Sequence, residues 1–332
     1  MTIMWALNNQ TPYAAERNWI RDKQGVHHWL VAVKATFDIG DRGALTLTDE
    51  QTPPVLAPEY FGAPGESGLR LDSDLLAVKP CTDVILDAAA HVPRGNRATS
   101  VQVSLRIADV AKTLLVHGDR VYYKGVGSGL TTSTPQPFST RPIRYERAFG
   151  GGDATSRDPR NPIGVGFALE PDRLIHKPAP TVTYPSGDPS KLGPAGFGPI
   201  DSAWSPRRER AGTFDAKWER SKKPLLPDDY DELFASGAPR DQRPSQILRG
   251  GERVELEQLT PEGMLRFELP KIFLAFTTHF GARHEEHRAR LITVVIAPDQ
   301  RRVALVWQTN LAVTPRDDDY LDQTVIREKP YV

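Results

Sequence analysis

The sequence predicts a mostly β protein: antiparallel sandwich- or barrel-like sheets, a long ordered loop region rich in proline and glycine, and few short helices. Three observations carry this prediction. Short stretches of alternating polarity recur in the N-terminal third and again after residue 250. Twenty-nine of the 332 residues are proline, about 9% against a usual ~5%, and proline breaks helix interiors and central strands alike. Between the two strand-rich parts the periodicity stops, yet large apolar residues continue.

In order along the chain, LVAVKATFDI places Val31, Val33, Ala35, Phe37 and Ile39 on one face and Ala32, Lys34, Thr36 and Asp38 on the other. That is the signature of a half-buried strand. The turn Gly40–Gly43 and ALTLT make it a hairpin. TDVILDAAAH (82–91) reads as a more buried strand. SVQVSLRIADV (100–110) alternates again, with Val101, Val103, Leu105 and Ile107 inward. KTLLVHGDRVYY follows, with His117-Gly118-Asp119 as its turn. Such short, closely spaced strands argue for an antiparallel sandwich or barrel.

From about Thr131 the pattern is lost, and ten prolines fall between Asp158 and Arg207. Phe167, Leu169, Leu174, Ile175, Tyr184, Phe197, Ile200 and Trp204 are spaced there as anchors, so the stretch reads as an ordered, proline-stiffened excursion across a β scaffold. PDDYDELFASGAP (227–239) carries the best helix signal: Asp229 and Glu232 have capping-box spacing and Gly237 marks the stop. Strands resume at 253–259, 264–270, 272–280, 291–297 and 302–309, the last two joined by the Pro-Asp-Gln turn at 298–300. The tail DDDYLDQTVIREKPYV is expected to be a short capping helix or frayed. The organisation is thus an N-terminal antiparallel β domain (1–130), a loop-rich bridging region with a short helix near 228–236 (131–250), and C-terminal hairpins packing on the same body (251–332).

Bulk properties bound the function. Basic and acidic side chains balance at 42 each, so there is no global electrostatic reason to bind nucleic acid or an anionic membrane. One cysteine, Cys81, allows no intramolecular disulfide and fits a reducing compartment. The first residues lack a basic region followed by an apolar run, and no stretch approaches the roughly 18 apolar residues of a membrane span. A soluble, cytoplasmic protein is expected.

The motif search yields little chemistry. YERAFGGGDATSRDPRNPIGVGF (145–167) is glycine-rich, but a phosphate loop needs a strand, a GK[ST] ending and a following helix. Here Asp158-Pro159 and Asn161-Pro162 disfavour that helix. Gly150, Gly151, Gly152, Asn161, Pro162, Gly164 and Gly166 read instead as structural turns. GVGSG at 125–129 also lacks the strand and helix. His284-Glu285-Glu286-His287 has the wrong spacing for a zinc helix and reads as a solvated charged stretch, and no cofactor or metal is expected. Cys81 reads as a buried small hydrophobe. The carboxylates at 228–232 suit helix capping, and those at Asp317–Asp319 a solvated tail.

AWSPRRERAGTFDAKWERSKKPLLP (203–227) is different. Trp204, Phe214 and Trp218 interleave with Arg207, Arg208, Arg210, Lys217 and Arg220, a mixture typical of protein interfaces. The acids Glu209, Asp215 and Glu219 dilute the charge and favour protein over nucleic acid. The plainer reading is that the tryptophans pin the loop to its own core. Arg144, Arg147, Phe149, Trp204, Arg207, Arg208, Phe214 and Trp218 are the candidate partner-binding residues; no catalytic set stands out.

Several stretches together resemble a known family: KATF (34–37), SDLLAVKPCTDVIL (73–86), HGDR (117–120), YERAFGG (145–151), NPIGVGF (161–167), WSPRRERAGTFDAKW (204–218), PLLPDDYDELFASGAPRDQR (224–243), GGERVELEQL (250–259) and LRFELP (265–270). The chain is similar to bacterial type VI secretion accessory proteins, formerly catalogued as a domain of unknown function. The resemblance is strongest over about 26–270. It implies a non-enzymatic adaptor or chaperone that binds an effector with an N-terminal PAAR-like domain and assists its loading onto the VgrG spike. Two other readings stay open: a β-sandwich hydrolase acting on carbohydrate or peptidoglycan, which needs two facing carboxylates in a cleft, and a structural spike or baseplate component.

Overall fold

A computed structural model describes residues 5–93, 96–125, 129–314 and 321–330. Within them the protein is mostly β, with several largely antiparallel sheets and no closed barrel. The central sheet runs in the order Ala14–Arg21, His27–Ile39, Arg302–Val313, Arg290–Ala297, Asp83–Leu86, and Leu45–Leu47 also pairs with His27–Ile39. A second sheet runs Val182–Thr183, Val110–His117, Ser100–Ile107, Arg253–Glu257, Met264–Glu268. A third runs Ala6–Asn9, Leu321–Lys329, Phe273–Phe280, Arg283–Arg288. Strands from 1–130 and from 251–332 therefore share all three sheets.

The alternation read in the sequence maps onto the core where a strand has one wet face. Val103, Leu105 and Ile107 point into the main core while Gln102 and Arg106 do not. The Gly40–Gly43 turn joins a hairpin, as does Pro298–Gln300.

Several expectations are corrected. The strand His27–Ile39 is not half-buried. Val31, Val33 and Ala35 face the main core, while Leu30 and Ala32 form a second cluster with Leu75, Ile292 and Val306. The segment after Leu71 roofs the outer face, so both sides are dry. The pairing is not purely antiparallel: Asp83–Leu86 runs parallel to Arg290–Ala297, and Ala6–Asn9 parallel to Leu321–Lys329. The 82–91 stretch is two strands, the second (Ala89–His91) pairing with Thr140–Pro142. His117–Asp119 is not a hairpin turn; Val110–His117 pairs with Ser100–Ile107 and Val182–Thr183, and Tyr122–Lys124 pairs with Leu130–Thr132.

Within the tail the described stretch is neither helix nor frayed: Leu321–Lys329 is an inner strand of the third sheet, and Trp29 Nε1 donates to Thr324 Oγ1 at 2.8 Å beneath it. The helix expected near 228–236 is only a 3-10 turn, Glu232–Ala235. Asp229 is taken up by the Thr213 amide and hydroxyl, so the cap falls to Asp231, which accepts from the Leu233 amide. Residues 126–128 of GVGSG, and Asp317–Asp319, lie outside the described residues.

The proline-rich excursion is ordered and anchored by Phe197 and Trp204, which are 1% and 3% exposed. Leu169 is not an anchor; it is 73% exposed. Short helices punctuate the region, the two α-helical turns being Pro189–Leu192 and Ala216–Ser221.

Candidate partner-binding site

The glycine-rich loop is a brace. Phe149–Gly150 pairs in parallel with Val165–Gly166. Asn161, fully buried, donates from Nδ2 to the carbonyls of Tyr145 (2.8 Å) and Phe149 (3.0 Å), and the Gly151 amide donates to its carbonyl. Gly151 has φ +75°, and a Cβ there would sit 2.1 Å from the Gly164 carbonyl oxygen; only glycine allows that approach. Gly150, Gly152 and Gly166 also have positive φ, and Gly164 lies under Asn161. No helix follows the triplet, so the turns hold backbone against backbone. Pro162 is half-buried between Asn161 and Ile163.

The eight candidate residues separate by exposure. Phe149 and Trp204 are core residues; Trp204 packs edge-on to Tyr145 at 5.6 Å. Arg207 is 7% exposed. It pairs with Asp72 at 2.6 Å and donates to the carbonyls of Phe234 and Ile200 at 2.8 and 2.7 Å. Arg144 is held by Asp87 at 2.9 Å and stacks on Phe61. Arg147 is partly exposed and 3.9 Å from Asp119. Phe149, Trp204, Arg207 and Arg144 brace the fold, and as placed the buried three offer a partner almost no side-chain surface, whereas Arg147 keeps a side chain 41% exposed. Arg208 and Phe214 are exposed and Trp218 is half-buried beside them. Phe214 is 56% exposed and packs edge-on to Trp218 at 4.8 Å. Asp215 caps the helical turn Ala216–Ser221 through the Trp218 amide, and Trp218 Nε1 donates to the Leu225 carbonyl, so this aromatic pair is held rigidly at the surface.

Beside this segment lies a half-open cleft of about 590 Å³, which the sequence reading did not anticipate. Arg160, Arg207, Arg210, Arg240 and Arg243 line it, together with Leu192, Ile200, Leu233 and three prolines. Its arginines come from positions spread between 160 and 243, so no local spacing could signal it.

Behind the cleft wall is a buried ionic cluster, also missed. Lys79 and Asp83 pair at 3.2 Å, both under 5% exposed; Asp83 accepts from the Gly237 amide and Lys79 donates to Thr293. Asp74 accepts from the Val55 amide. Burial pushes the Asp74 carboxyl up and the nearby Lys34 ammonium down. Burial also opposes charge on Lys79, but Asp83 and Asp74 outweigh it and hold its ammonium above the usual range. The one available signal was a lysine inside an apolar strand and two acids flanking PCT in SDLLAVKPCTD.

Two histidines are tied into the fold. His28 bridges Asp22 and Asn310. His287 is not solvated: it contacts the hydroxyls of Thr278 and Thr309 at 2.7 and 2.5 Å, and burial lowers its pKa to about 4. Cys81 is half-buried and meets the Ser236 hydroxyl, and burial raises its thiol. Among the described residues no cluster of His, Cys, Asp and Glu could hold a metal, and no helix is long and apolar enough to cross a membrane.

The chain belongs to the family described as an uncharacterized protein conserved in bacteria (DUF2169), whose family model matches residues 24–308. No curated protein and no solved structure matches it.

Proposed function

We propose that this family member is a non-enzymatic type VI secretion adaptor that binds an effector with a PAAR-like domain and assists its loading onto the VgrG spike. The choice of partner rests on the motif resemblance. The physical support is one observation: a long excursion without sheet periodicity is locked in place and presents a rigid aromatic and arginine surface at Arg208, Phe214 and Trp218. A surface ordered before binding loses less entropy on association, and aromatic and arginine side chains dominate interface energetics. The hydrolase reading asks for two facing carboxylates. The cleft of about 590 Å³ has one, Asp241, bonded to Lys112 and Tyr184, and in a second cleft of about 500 Å³ Asp119 is paired with Arg141 while Glu146 accepts from the Gly68 amide.

Co-expression with the product of the adjacent gene, followed by size-exclusion chromatography, tests the proposal. A complex is expected with the wild type and loss of complex with Arg208→Ala/Phe214→Ala. No complex with any PAAR-like effector removes the adaptor reading; a complex untouched by the double variant removes only the surface. The spike-component reading requires the protein in assembled particles, whereas the adaptor stays in the cytoplasmic fraction.

A further inference from the structure

We infer that the half-open arginine cleft binds a carboxylate carried on an apolar body, held by Arg240 and Arg243. The charges around the cleft do not cancel internally. Arg160 forms a two-point pair with Asp158, at 2.6 and 2.9 Å. Arg207 has Asp72, and Arg210 has Asp231. The one acid in the lining, Asp241, is engaged by the buried Lys112 at 2.8 Å and by the Tyr184 hydroxyl at 3.1 Å. Arg240 and Arg243 have no carboxylate partner among the described residues. The Arg243 Nε is buried without a hydrogen-bond acceptor. An oxyanion in the cleft would give these two guanidinium groups the counter-charge that the fold does not supply.

The walls define the rest of the ligand. Leu192, Ile200, Leu233 and Ala238, with Pro194, Pro206 and Pro239, make most of the lining carbon. A volume of about 590 Å³ falls in the usual range for organic ligands. A hydrated inorganic anion would leave that apolar surface in contact with water. A guanidinium fork matches a carboxylate with two parallel hydrogen bonds. An acidic side chain between apolar ones in a peptide, or a free organic acid, presents the same group.

The inference is independent of the adaptor reading, because no effector enters its test. Chemical-shift titration of the full chain would use two probes, 3-phenylpropionate and a blocked leucyl-glutamyl-leucine peptide. Each has a neutral control, 3-phenylpropionamide and leucyl-glutaminyl-leucine. Binding of either acid, roughly ten- to hundredfold tighter than its control, is expected, and the tighter acid identifies the source. Arg240→Ala/Arg243→Ala should weaken it by a similar factor. Arg240→Ala alone, on an exposed side chain, supplies the test if the double variant does not fold. Equal binding of acid and control, no binding of either acid, or binding that survives the arginine variants would overturn the inference.

Discussion

Replacing Arg207 by alanine separates a partner contact from a fold contact. The side chain is 7% exposed and makes three directed contacts: the ion pair to Asp72 and bonds to the carbonyls of Ile200 and Phe234. Truncation leaves a largely buried carboxylate without its counter-charge and two carbonyls without their donor. Breaking a buried pair from one side costs about 3–5 kcal/mol. With a urea dependence of roughly 3 kcal/mol per molar for a chain of this size, that moves the midpoint down by roughly 1–2 M. Trp204 lies between the two carbonyl acceptors in sequence and against Tyr145, so its fluorescence reports the transition. The neighbouring Arg208→Ala should stay within about 0.5 kcal/mol of wild type. Asp72→Asn/Arg207→Met, which removes both charges and keeps the volume, should recover part of the loss. An Arg207→Ala protein with an unchanged midpoint would refute the bracing role, and if it also failed to bind an effector, Arg207 would be a contact residue after all.

Three further outcomes follow from the same geometry. Asn161→Ala removes both bonds that clamp Tyr145 and Phe149 and leaves the Phe149 carbonyl without its donor, while the Tyr145 carbonyl keeps the Ala148 amide, so a loss of about 1–3 kcal/mol is expected in urea unfolding; a loss below about 0.5 kcal/mol would show that the turns hold without it. Gly151→Ala forces a Cβ to within 2.1 Å of a backbone oxygen at positive φ and should cost at least ~2 kcal/mol, whereas Gly129→Ala, with open space around it, should change stability little. His287 is neutral when folded because burial lowers its pKa to about 4; the unfolded chain protonates near 6.5. Its contribution is therefore complete above pH 6.5 and is lost as pH falls towards 4, by up to about 3 kcal/mol. His287→Gln should flatten that part of the stability profile, and an unchanged slope between pH 6.5 and 4 would exclude His287 as its source.

What was legible in the sequence was what neighbours in the chain decide. The strand Ser100–Ile107 alternates because only one face is dry, and the Pro298–Gln300 turn carries its own signal. The glycine triplet was readable as turns because prolines close off the helix alternative. What was not legible depended on distant partners. Leu321–Lys329 looks like a tail until Ala6–Asn9 and Phe273–Phe280 pair on either side of it. Lys34 marks a wet face by pattern, yet it lies under the 53–79 segment, with its Nζ 3.3 Å from the Pro53 carbonyl. Interface composition in 203–227 was visible, but exposure was not. Trp204 and Arg207 face inward while Arg208 and Phe214 face out, and no spacing in an irregular loop predicts that division.

The buried charges explain how an irregular excursion acquires one position. Apolar contact is non-directional, and a segment without strand periodicity has no sheet register to fix it. Here the directional contacts supply the register. Asp83 accepts from the Gly237 amide, and Asp72 holds Arg207. Gln242 donates to the carbonyls of Val84 and Phe197, and Lys112 donates to Gln242 and Asp241. The Asp83, Gln242–Val84 and Lys112 contacts join the end of the excursion to the central or second sheet. Replacing such pairs by apolar residues is often neutral or favourable for stability, so stability alone does not account for them. Geometry does: the same contacts hold the cleft wall at Arg207, Gly237 and Asp241. Lys79→Met/Asp83→Leu should therefore leave global stability within about 2 kcal/mol of wild type, while complex formation with an effector weakens as the excursion loses its fixed position. If effector binding were unchanged in that stable variant, the ionic cluster would have no part in shaping the recognition surface.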